Sequence, residues 1–103
     1  MKLETEILSK KEIENIKKEI QEKIDHISSY SIKKLNFEKE RCEQILNRNI
    51  PMCISLHTKN ILQSDDKNKI LGQLHRLNLE CYWKLLNLEY LQEIHKYIEK
   101  SNK

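Results

Sequence analysis

The sequence predicts an all-α protein: a long-helix hairpin or bundle of three helices, over about residues 9–47, 51–63 and 65–100, with coiled-coil-like packing. Three observations point there. One glycine and one proline in 103 residues leave almost no material for the tight turns of a many-stranded fold. Leu, Ile, Lys and Glu make up most of the chain, a composition of long helices. Apolar residues also recur at steps of three and four, the period of one helical face. A chain of this length is expected to form a single domain, residues 1–103.

The first helix is expected to open at Ser9-Lys10-Lys11-Glu12, which has capping-box spacing. An isoleucine ladder follows, Ile13, Ile16, Ile20, Ile24 and Ile27, all on one stripe. Ser28-Ser29-Tyr30-Ser31 can interrupt a helix, because serine hydroxyls compete for backbone hydrogen bonds. Phase favours continuation: at about 100° per residue the same stripe picks up Ser31, Leu35, Cys42 and Ile45. One helix to about Asn47, bent near Ser29, is the preferred reading. Pro51 disfavours helical geometry at Ile50 and suits the first turn of a new, short helix ending near Gln63. Ser64-Asp65-Asp66 then supplies a cap and two acids for the N-terminus of the third helix, which crosses Gly72.

The third helix is apolar on two opposite sides. Ile70, Leu74, Cys81, Leu88, Leu91 and Ile98 lie within about 60° of Leu77, a heptad-like seam interrupted by Lys84 and His95. Leu71, Leu79, Tyr82, Trp83, Leu86, Tyr90, Ile94 and Tyr97 occupy the opposite side, with Asn78, Glu80, Asn87 and Lys96 along the edges. A helix of this kind needs cover on both sides. The isoleucine ladder is the expected complement of the Leu77 seam. The second helix, spanning only ~18 Å, cannot reach Tyr90 or Tyr97. The strip Leu79, Tyr82, Trp83, Leu86, Tyr90, Ile94 and Tyr97 is therefore the expected docking surface, with Trp83 and Tyr90 as anchors. The alternative is a first helix broken near Ser29, whose halves pack on opposite sides of the third and close every aromatic into the core.

The expected function is a non-enzymatic helical interaction module: a small subunit or adaptor, or a homo-oligomer associating through the third helix. An inhibitor of viral or phage type, blocking a larger enzyme by occupancy, would use the same strip. Ala and Val are absent and Lys far outnumbers Arg, a pattern of AT-rich coding. The net charge of +3 is spread evenly, and Glu38 and Glu40 break the densest basic stretch, Lys33, Lys34, Lys39 and Arg41. A solvated helix face accounts for that stretch better than a nucleic-acid track, which leaves a weak nucleic-acid-binding helical protein as the further alternative. Three cysteines, an odd number, with no basic-then-apolar leader point to a reducing compartment, cytoplasm or nucleus. No apolar run approaches a membrane span. Catalysis lacks a convergent set of groups, and His95 reads as a polar group on the seam. Cys42, Cys53 and His57, with His75 or Cys81, are the right types for zinc, but their spacing matches no compact knuckle, so no metal and no cofactor are expected.

Overall fold

The computed structural model describes residues 4–101, with side chains from Lys10 to Ser101. Four α-helices follow in order: α1 (Glu4–His26), α2 (Ile32–Gln44), α3 (Ile50–Leu62) and α4 (Lys67–Ser101). A 3₁₀ turn, Ile27–Ser29, follows α1, and a π turn, Ile45–Asn49, joins α2 to α3. There is no strand among the described residues. The helices form three arms, α1, α2 with α3, and α4, packed against one another as an all-α bundle.

The breaks do not fall where the preferred sequence reading puts them. The first arm ends in the serine cluster. Ser29 Oγ donates to the His26 carbonyl at 2.6 Å, and the Tyr30 amide donates to Ile27 at 3.1 Å. Tyr30 then turns extended at φ −76, ψ 135. Ser31, also extended, restarts the helix as its N-cap, its Oγ accepting from the Lys34 amide at 3.2 Å. Phase continuity misled because both arms carry their own three-and-four apolar repeat. A five-residue break happens to leave the two repeats in step.

The helix expected to stop before Pro51 instead runs through it. Ile50 keeps helical angles, φ −64 and ψ −49. A π turn widens the ladder from i→i+4 to i→i+5 bonding. That widening, directly before a residue with no N–H and a bulky ring, lets the chain pass Pro51 without a break. The middle arm is consequently a continuous helical path from Ile32 to Leu62. At its other end α1 begins at Glu4, ahead of the expected cap at Ser9, whose side chain lies outside the described residues. The start of α4 follows the sequence closely: the Asp66 carboxylate accepts from the Asn68 amide at 2.9 Å, and Ser64 Oγ accepts from the Asp66 amide at 3.2 Å.

Side-chain pairs give the directions of the arms. Glu12 lies 3.7 Å from His75, the Lys17 ammonium 5.8 Å from the Tyr82 ring, and the Lys23 ammonium 5.8 Å from the Tyr90 ring, so α1 runs parallel to α4. Cys42 meets Asn87 and His57 meets Gln73, so the middle arm runs antiparallel to it. Both flanking arms pack on α4, and among the described residues no comparable contact joins α1 to α2 or α3. Helix α4 is thus the spine, with one arm on each flank.

This open arrangement leaves much surface in water. The molecule measures 57 × 28 × 14 Å with a radius of gyration of 16.7 Å, against about 13 Å for a compact domain of this length. It exposes 7800 Å², where a monomer of 12.5 kDa is expected to expose about 6200 Å².

Candidate protein-interaction surface

The aromatic strip of α4 faces the flanking arms. Tyr90 and Ile94 are 1% and 0% exposed, and they join Ile20 and Ile27 of the first arm with Leu35 and Cys42 of the second in one core. Trp83, Leu86 and Tyr97 pack on that cluster half-buried; Leu79 and Tyr82 are half-buried as well. The expected docking role is corrected for Tyr90 and Ile94, which are sealed inside the chain's own core. The physical reason is the break at Ser29-Tyr30, which sends Ile13 to Ile27 along one flank of α4 and Leu35 to Cys42 along the other. The isoleucine ladder packs toward α4 as expected, but on its aromatic side.

The Leu77 seam of α4 is divided: Leu91 and Ile98 pack half-buried on the core and Ile70 and Leu77 are half-buried, while Leu74, Cys81 and Leu88 are left outside. Leu71, Leu74, Leu85 and Leu88 are 42%, 48%, 63% and 40% exposed, and Cys81 is exposed between them. With Asn78, Gln92 and His95, also exposed, they fall at alternating steps of three and four from residue 71 to residue 95. That is the a/d pattern of a coiled-coil seam, about 3.5 residues per turn. Such a pattern drifts by about 20° per heptad around a straight helix, so it runs as a slanted stripe along the outer face of α4. The stripe crosses the two faces defined about Leu77, with Leu71 on the aromatic side and Leu85 on neither. The strict alternation 71, 74, 78, 81, 85, 88 was the signal available. Elsewhere, exposed Met52 and Leu56 sit one turn apart on α3, and Ile32, Phe37 and Leu62 stand singly, as is ordinary for any surface.

The polar groups offer little chemistry. Among the described residues no three His, Cys, Asp or Glu side chains converge as a metal set. The zinc candidates are dispersed: Cys42 is buried, Cys53 half-buried, Cys81 exposed, and His57 is bonded to Gln73 Oε1 at 2.7 Å. His95 is exposed on the outer seam. In the basic stretch, Lys33 and Arg41 are exposed, Lys34 stands 4.1 Å from the Tyr30 ring, and Lys39 pairs with Glu43 at 4.0 Å. Asn87, an edge residue in the sequence reading, is 2% exposed inside the core, and Glu38 is 6% exposed beside it. Burial, then the charge of Glu38, raises the Cys42 thiol to about 11 and pushes the Tyr90 phenol well above its usual range. Both groups are held protonated, which suits a core and not a nucleophile or base.

Comparison of the chain with protein-family models, curated proteins and solved structures finds no match. Among the described residues no helix is long and apolar enough to cross a membrane.

Proposed function

We propose that the protein is a non-enzymatic helical interaction module, a small subunit or adaptor whose output is binding, and that the outer face of α4 is its docking surface. The exposed seam Leu71, Leu74, Cys81, Leu85 and Leu88 on the spine helix carries this reading. Four exposed leucines aligned along one helix, interrupted at Asn78, form an apolar stripe of a kind that marks an interaction site more often than bare solvent-facing surface. The stripe lies on the helix against which both flanking arms pack, so the surface is already formed and docking there requires little rearrangement. Tyr90 and Ile94, on the opposite side of the same helix, are buried in the chain's own core, which supports the outer side as the docking face.

A photoreactive benzoyl-phenylalanine placed at Leu85, compared with the same group at Lys18, tests this in cells that make the protein. Position 85 is expected to capture a polypeptide and position 18, exposed on α1, to capture none. No captured polypeptide from position 85 would remove the reading.

A further inference from the structure

Resting on the interaction reading, we infer that the occupant of the outer α4 face is a second copy of this chain, aligned parallel in a two-stranded coiled coil. Three observations carry the inference.

The first is area. The chain exposes 7800 Å², roughly 1600 Å² more than a compact monomer of its mass. A standard stable interface takes about 800 Å² from each partner. One symmetric contact along the stripe therefore fits within the surplus and removes the leucines from water.

The second is the repeat itself. With Leu71, Asn78, Leu85 and Gln92 at a and Leu74, Cys81, Leu88 and His95 at d, the stripe is self-complementary. In a parallel pair each position meets its own equivalent, giving leucine layers at 71, 74, 85 and 88. A lone asparagine at a is the polar device that favours two strands in one register, because Asn78 can bond only its counterpart at the same level. The antiparallel alignment that keeps the leucines together would set Asn78 against Cys81 of the second copy, a poorer match for an amide.

The third is charge. Lys84 falls at g and Glu89 at e of the next heptad, the two positions that face each other across a parallel dimer. Neither makes an ion pair among the described residues. Twofold symmetry would form the Lys84–Glu89 bridge twice, once on each side of the seam.

Light scattering on the eluting full chain is the first measurement. Wild type is expected at the mass of two chains. Leu85→Glu, at a residue already 63% exposed, is expected at the mass of one with unchanged helical content, its self-association weakened about 100-fold or more. A wild-type mass of one chain at micromolar concentration, or a dimer that survives Leu85→Glu, overturns the inference. Direction is read separately, by copper-phenanthroline oxidation of Leu88→Cys in a Cys81→Ser background. A parallel pair sets residue 88 beside its equivalent and gives a disulfide-linked dimer. No such product, together with cross-linking between Leu88→Cys and Leu71→Cys chains, overturns the parallel register. A monomeric wild type that still captures another polypeptide from position 85 removes only the second copy, leaving the interaction reading in place. No capture at all removes both.

Discussion

The Cys42 thiol lies 3.7 Å from Oδ1 of Asn87 in the centre of the core, and the Asn87 amide donates to the Trp83 carbonyl at 2.8 Å. One side chain thereby ties α2 to α4 and satisfies its own polar ends. It is an unusual thing to bury, and it accounts for an asparagine where the helix has no solvent. Asn87→Asp keeps the shape but removes the donor and adds a buried charge. The expected cost is about 3 kcal/mol at neutral pH, shrinking in acid as the carboxyl takes up a proton. Urea denaturation of the variant across that pH range measures it; equal stability at neutral pH would contradict the core placement of Asn87.

Burial of the same thiol makes stability sensitive to alkali. Burial and the Glu38 charge raise the Cys42 thiol from 9.0 to about 11, with Lys23 and Arg41 only partly offsetting them. The folded state thus keeps a proton that the unfolded chain releases near 9.0. The stabilisation is complete below that pH and is lost as pH rises toward 11, by roughly 2–3 kcal/mol. The raised Tyr90 phenol adds a loss of the same sign once pH exceeds the usual tyrosine range. In Cys42→Ala the decline just above 9.0 is expected to flatten while the Tyr90 part remains, readable as the denaturant midpoint followed against pH.

Ser31 decides where the middle arm begins. Its Oγ accepts from the Lys34 amide, one of the donors that a helix start leaves unpaired. Ser31→Ala is expected to cost about 1 kcal/mol. Ser31→Asp should hold the cap. Thermal unfolding of the two variants beside wild type distinguishes a cap from a merely exposed serine.

Gly72 sits inside α4, and beyond its chain neighbours and the helix's own backbone nothing lies within 4 Å of where a Cβ would stand. Its backbone is ordinary right-handed helix, so alanine introduces no strain. Gly72→Ala is expected to stabilise the protein by roughly 0.5–1 kcal/mol, through the freedom it removes from the unfolded chain. A destabilised variant would mean that something else closes on that point of the spine.

Much of the fold was legible along the chain. The scarcity of glycine and proline excluded a strand-rich fold, and the ladder Ile13 to Ile27 marked the packing face of α1. The Ser64 to Asp66 cap placed the start of α4, and the steps of three and four around that helix showed that it has two apolar sides. These are local facts: periodicity and capping act within a few turns and need no knowledge of what lies opposite.

Tertiary structure alone decided which signal ended a helix and which apolar side was covered. By local preference alone proline is the stronger breaker, about 3 kcal/mol in a helix interior against at most about 0.7 kcal/mol for each serine. Burial of Ile20, Ile27, Leu35 and Cys42 around Tyr90 and Ile94 outweighs that difference. The chain therefore turns at Ser29-Tyr30 and runs on through Pro51. That turn is what closes the aromatic side of α4 between the two arms and leaves the Leu71 to Leu88 side open. Phase arithmetic can find the faces of a helix, but only packing chooses among their partners, because the energy of a face depends on what is brought against it.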